Sequence, residues 1–75
     1  MTERERQNLL NRIAVDPDIQ GGRPVIKGTR VPVSRIVGAL SSGATPQELE
    51  EDYGITEQDI TAVLAYAARE VAERG

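Results

Sequence analysis

The chain has 75 residues, a formal net charge of −3, and neither cysteine nor histidine. A chain of this length forms one small hydrophobic core, so we expect a single domain over residues 1–75. The missing residue types exclude a disulfide framework, the usual zinc ligand sets and a Cys/His nucleophile or base. Because small chains without such staples commonly gain stability by association, we expect a homodimer or a higher oligomer.

The first twelve residues, 1–12, are predicted to form a short helix or a tail. Thr2 and Glu5 have the spacing of a capping box, and Leu9 and Leu10 follow with helical periodicity. No long apolar run follows this charged start. We therefore expect neither a signal peptide nor a membrane span, and a cytoplasmic protein.

Residues 13–33 are predicted to form an extended, basic arm rich in glycine and proline. Its prolines exclude a helix, whereas Val25-Ile26 and Arg30-Val31 favour two short strands joined through Lys27-Gly28-Thr29. A brief β-like pattern also occurs from Arg12 to Val15. We expect the arm to project from the helical body as a stiff extension.

The remaining residues, 34–75, are predicted to form a core of three helices. The first is capped by Ser34, the second begins at Thr45-Pro46, and the third begins at Thr56 and keeps one apolar stripe for four turns. The glycines assigned to structural turns are Gly22, Gly28, Gly43 and Gly54.

The second and third predicted helices are joined by Gly54-Ile55-Thr56, a short connection typical of a helix-turn-helix. An ordinary helical hairpin uses the same chemistry, and Glu50 stands where DNA-reading units tend to carry a small residue. On the third helix, Gln58 can read adenine and Thr61 can contact a base or a phosphate, although two neighbouring carboxylates repel phosphates.

The charges are divided between the two halves of the chain. Seven basic and four acidic side chains occur up to Arg35, and two basic and eight acidic side chains follow. This asymmetry predicts either an arm that binds nucleic-acid phosphates or an arm that lies on the acidic body of a neighbouring subunit. The predicted nucleic-acid contacts are Arg23, Lys27, Arg30, Arg35, Gln58 and Thr61.

The third predicted helix is apolar over so much of its circumference that we expect it to pack on another chain as well as on its own core. The residues assigned to this dimer or partner interface are Tyr53, Ile60, Val63, Leu64, Tyr66, Ala67 and Val71.

The sequence predicts no enzyme. Lys27-Gly28-Thr29 has the wrong order for a phosphate-binding loop, and the carboxylates flank a proline or cap helices. We therefore expect no catalytic residues, metal ligands, cofactor or small-molecule substrate.

The run from Gly22 to Val33, with the pattern Gly-x-Pro-x-Ile-x-Gly-Thr-Arg, closely resembles the domain-of-unknown-function family 433, short prokaryotic proteins with a homeodomain-like helical core. The similarity extends from about Ile13 to Ala68. Further matching residues are Asp16-Pro17, Gly43 to Glu48, Asp52-Tyr53, Asp59-Ile60 and Ala65-Tyr66-Ala67. Gly54-Ile55 departs from the Pro and Leu that the family commonly has between its second and third core helices.

The resemblance implies a mainly α fold, in which a three-helix homeodomain-like helix-turn-helix core follows an N-terminal extended arm of short β segments. It also implies a VapB-type antitoxin that pairs with a PIN-like ribonuclease toxin encoded nearby and represses its own operon. Two hypotheses follow: a non-enzymatic dimeric antitoxin that binds a toxin and operator DNA, and an interaction module that contacts no nucleic acid. A third, a nuclease, would need an acidic metal cluster.

Overall fold

The computed structural model describes all 75 residues as four helices and a small two-stranded antiparallel sheet. A 3₁₀ turn spans Gln20–Gly22. The mainly helical class with short β segments is confirmed, and the homeodomain-like character of the core stays a prediction. The elements in chain order are α1 (Glu3–Leu10), β1 (Ile13–Ala14), β2 (Val25–Ile26), α2 (Val33–Ser41), α3 (Pro46–Tyr53) and α4 (Glu57–Arg74).

Three of the four helices begin at a threonine that caps them. In α1, α3 and α4 the threonine side chain accepts a hydrogen bond from the backbone N–H of an acidic residue three positions later, whose carboxylate accepts one from the threonine N–H. These pairs satisfy donors that the first turn leaves free, and they fix where each helix starts. The pairs are Thr2 with Glu5, Thr45 with Glu48, and Thr56 with Asp59.

The start of α2 differs from its prediction. Its N-cap is Pro32, which makes no side-chain hydrogen bond, and Ser34 lies inside the first turn. The prediction that Ser34 caps this helix is therefore wrong. The reason is non-local, because the Val33 N–H donates to the carbonyl oxygen of Pro24 at 2.9 Å and so fixes the entry to α2 from across the arm.

The arm over residues 13–33 packs on the body instead of projecting from it. Val25 and Ile26 are each 1% exposed, and β2 pairs with β1 in the register Ile13 to Ile26 and Ala14 to Val25. The predicted strand at Arg30-Val31 does not form, and only a single bridge joins Val25 to Pro32. Instead, β2 pairs with β1, which lies in the stretch with the brief β-like pattern. Val25 and Ile26 are both fully buried, so this strand is covered on both of its faces.

The core lies between β2 and the last three helices. Ile55, in the connection between α3 and α4, is 5% exposed and belongs to this core. Helix α1 packs along α4 and contains no buried residue. None of the helices combines the length and the apolar character that spanning a bilayer requires. The buried cluster comprises Ile26, Val33, Ile36, Leu49, Ile55, Ile60 and Val63.

Candidate macromolecular interfaces

An apolar groove of about 720 Å³ lies between α2 and the C-terminal half of α4. Arg23, Glu70 and Arg74 contribute charged side chains to its lining, and Gly38 forms part of the α2 wall. A lining that combines apolar side chains with a few charged ones is typical of a protein-binding surface. The apolar side chains that line this α2/α4 groove are Val33, Val37, Tyr66, Ala67 and Val71.

The residues predicted for the dimer or partner interface fall into two groups. Ile60 and Val63 are 4% and 0% exposed, so they serve the core of their own chain and offer no surface to a partner. Tyr53, Tyr66 and Ala67 are half-buried, and both tyrosines pack against the core cluster. Leu64 and Val71 are exposed by 50% and 70%. The exposed part of the predicted interface is therefore the edge of α4 beside the α2/α4 groove.

Tyr66 forms a wall of that groove. The guanidinium carbon of Arg69 lies 5.2 Å from its ring centroid, a distance at which the cation is attracted to the ring face. Burial, and secondarily the charge of Glu70, raises the pKa of Tyr66 above its ordinary value of 10.0. The phenol is therefore neutral at physiological pH, which suits an apolar contact surface.

The four cations predicted to contact nucleic acid are all exposed. The ion pairs within the chain join Glu3 to Arg6, Arg12 to Asp59, and Arg69 to Glu70, so none of the four takes part in one. Their charges are thus available to an anionic partner. These cations are Arg23, Lys27, Arg30 and Arg35.

The structure distributes these cations over more than one depression. Arg23 lies at the α2/α4 groove, whereas Lys27 lines a polar depression of about 400 Å³ near the start of α4. Gln20 connects the two ends of the segment that carries Arg23 and Lys27, because its side-chain amide donates to the Arg30 carbonyl oxygen at 3.2 Å. The arm is therefore a fixed cationic surface on the body, and the expectation of a free extension is corrected.

Sequence reasoning missed the ion pair in the polar depression. Arg12 Nη1 lies 3.2 Å from Asp59 Oδ1, while the other carboxylate oxygen accepts the Thr56 N–H at 3.0 Å. Arg12 and Asp59 are 47 residues apart, so no local pattern indicates the contact. The pair ties the end of the N-terminal segment to the first turn of α4.

Gln58 and Thr61 occupy exposed positions near the start of α4, after a connection whose Gly54 has a left-handed φ of 65°. The Thr61 hydroxyl donates to the Glu57 carbonyl oxygen at 3.1 Å, so its proton is engaged within the helix.

All four glycines assigned to turns have positive φ, between 65° and 98°. No group of three or more acidic side chains is placed to hold a metal ion.

Comparisons with known proteins agree on one family. The family model described as "Protein of unknown function (DUF433)" matches residues 13–67. A Mycobacterium tuberculosis (strain ATCC 25618 / H37Rv) protein named "Putative antitoxin VapB45" is 36% identical over 52 residues, which cover 69% of this chain. The match spans only 22% of that relative's length. A crystal structure of a DUF433 member protein from Anabaena variabilis ATCC 29413 is similar with a TM-score of 0.77 and 32% identity, over 93% of this chain and 70% of that one.

Proposed function

We propose an antitoxin-like function for this chain, which belongs to the domain-of-unknown-function family 433. In this proposal the protein is a non-enzymatic, cytoplasmic homodimer that binds and neutralises a PIN-like ribonuclease toxin encoded nearby. The name of the M. tuberculosis relative supports the antitoxin role in general. The charge on the surface of this chain indicates what kind of partner it binds.

The acidic surface of α3 carries the proposal. Glu51 and Asp52 are exposed, and neither they nor the other carboxylates of this helix form an ion pair within the chain. A ribonuclease must present basic groups to hold the phosphates of RNA. An unpaired acidic surface is complementary to such a site, and charge complementarity of this kind speeds association and selects the partner.

Co-expression with the product of the adjacent reading frame tests this proposal. We expect the neighbouring product to stop growth when it is expressed alone, and to be harmless and to co-purify when this chain is present. The double variant Glu51→Lys/Asp52→Lys should lose both effects, since it places like charge against the basic site. The double variant Arg69→Glu/Glu73→Lys leaves α3 intact and should retain them. A neighbour that is harmless alone, or that fails to co-purify, contradicts the proposal.

The proposal extends to operator DNA through the cations of the arm. Arg23, Lys27, Arg30 and Arg35 are exposed and free of ion pairs, which supports contact with phosphates. Binding of promoter DNA should then weaken steeply as salt rises. Arg23→Ala and Arg30→Ala should each lower the salt slope by about 1, and the control Arg69→Ala should leave it unchanged.

A second candidate function is an interaction module that contacts no nucleic acid. It is favoured by the distribution of Arg23 and Lys27 over different depressions and by the net charge of −3. Absence of any shift of promoter DNA at low salt would leave this candidate alone. RNA that stays intact with the purified chain and magnesium or manganese would support the non-enzymatic part of both candidates.

A further inference from the structure

We infer that the α2/α4 groove is occupied by α4 of a second copy of this chain, and that the two α4 helices pair antiparallel about a two-fold axis near Ala67 and Ala68. The inference rests on the homodimer of the proposed function and needs neither the toxin nor DNA. The apolar residues and the charges of α4 support it, and so does Gly38 of α2.

The exposed apolar residues of α4 match each other under a two-fold rotation. Leu64 precedes Ala67 by three residues, and Val71 follows Ala68 by three residues. In an antiparallel pair centred between the two alanines, Leu64 of each copy faces Val71 of the other. An interface between identical subunits requires such self-complementarity, and small residues at the crossing let the two backbones approach closely.

The charges on this side of α4 select the antiparallel orientation. Glu57, Leu64 and Val71 are spaced by seven residues and so share one face of the helix, and Arg74 follows at its edge. Neither Glu57 nor Arg74 forms an ion pair within the chain. Antiparallel packing brings Arg74 of each α4 toward Glu57 of the other, whereas parallel packing would place Glu57 beside Glu57 and Arg74 beside Arg74. The opposed helix dipoles act in the same direction.

Gly38 favours close packing of a helix from the second copy against α2. It lies in the middle of α2, it lines the α2/α4 groove, and a Cβ built on it would meet nothing within 4 Å. Glycine inside a helix costs about 0.5–1 kcal/mol relative to alanine, and no contact within the chain requires it. A neighbouring helix seated in the groove does require that no side chain project from α2 at this position.

Sedimentation equilibrium tests the dimer and its surface. We expect the wild-type chain at micromolar concentration to have twice its single-chain mass of 8.1 kDa. Val71→Glu should weaken association at least about tenfold, because a charge would be left against apolar surface. Its matched control is Ala72→Glu, the same charge at an exposed position about 100° further around the helix, and it should retain the dimer. Circular dichroism of both variants separates lost association from lost folding.

Cysteine cross-linking tests the orientation, because the chain has no cysteine of its own. A mixture of Leu64→Cys and Val71→Cys chains should form a disulfide-linked dimer on oxidation, and neither variant alone should do so. Cross-linking of Val71→Cys with itself would indicate parallel helices and overturn the inference. A wild-type chain that is a single copy in solution would also overturn it. If that single copy still co-purifies with the toxin, the antitoxin proposal stands without this dimer.

Discussion

The α3–α4 hairpin and the arm over residues 13–33 reach their structures in different ways. The hairpin is defined by contacts between near neighbours in sequence, such as the caps at Thr45 and Thr56 and the left-handed residue Gly54. The arm is defined by contacts across the chain, such as the hydrogen bond from the Lys27 N–H to the Arg12 carbonyl oxygen at 2.7 Å. Local contacts can be recognised in a sequence, whereas contacts between distant segments depend on the finished fold.

Removal of a buried apolar side chain from the arm should destabilise the whole chain strongly. Ile26 is 1% exposed and belongs to the core cluster, so Ile26→Ala should lower the free energy of unfolding by about 2–5 kcal/mol. Urea unfolding measures this loss. A projecting arm would contribute almost nothing to the same quantity.

Val15 provides the control for that measurement, because it lies in the same segment and is 62% exposed. Val15→Ala should change the free energy of unfolding by no more than about 0.5 kcal/mol. Equal effects of Val15→Ala and Ile26→Ala would show that the arm is not packed into the core.

A pair of glycine substitutions tests how the backbone conformation of single residues affects stability. Gly54 has φ of 65°, which costs an L-residue about 1–2 kcal/mol, whereas Gly38 has a helical conformation that alanine prefers by about 0.5–1 kcal/mol. A Cβ at either position meets no atom of the same chain within 4 Å, so in the dissociated chain the backbone sets both effects.

Thermal and urea unfolding, measured at protein concentrations low enough to dissociate the dimer, should therefore show opposite signs for the two variants. Gly54→Ala should be less stable than the wild type, and Gly38→Ala more stable. If Gly54→Ala is as stable as the wild type, the left-handed turn at Gly54 does not define the end of α3.

The sequence predicts the helices well because their signals are short in range. Three threonine caps, Pro46 at the first position of α3 and Gly54 after it lie within four residues of the boundaries they set. The start of α2 was misplaced at Ser34 because the contact that fixes it comes from Pro24 across the arm. The strand partner was misplaced for the same reason, since the pairing of Ile13 with Ile26 closes a loop of the chain.

The candidate interfaces were predicted in part. Periodicity identifies the apolar stripe of α4, but it does not distinguish Ile60 and Val63, which the chain covers itself, from Leu64 and Val71, which it leaves exposed. That division depends on how α2 and α3 pack on α4. Composition likewise identifies the cations of the arm without showing which depression each of them lines.

A weaker effect is expected from the ion pair between Arg12, which directly precedes the arm, and Asp59 in the hairpin. Arg12 and Asp59 are partly exposed, with 42% and 15% of their side chains accessible, so solvent weakens their attraction. A double-mutant cycle with Arg12→Ala and Asp59→Asn should give a coupling energy of about 0.2–1 kcal/mol. Asparagine is the right replacement because its side-chain oxygen can still accept the Thr56 N–H that Asp59 accepts.

The dependence on salt distinguishes this ion pair from the helix cap that shares the Asp59 carboxylate. The coupling between Arg12 and Asp59 should fall toward zero in about 1 M sodium chloride, where charges are screened within a few ångströms. The stabilisation from the Thr56 cap, measured with Thr56→Ala, should persist in the same salt because it is a hydrogen bond within one turn. A coupling that salt does not change would mean that Arg12 stabilises the fold through packing of its alkyl chain, and that the N-terminal segment is joined to α4 by apolar contact.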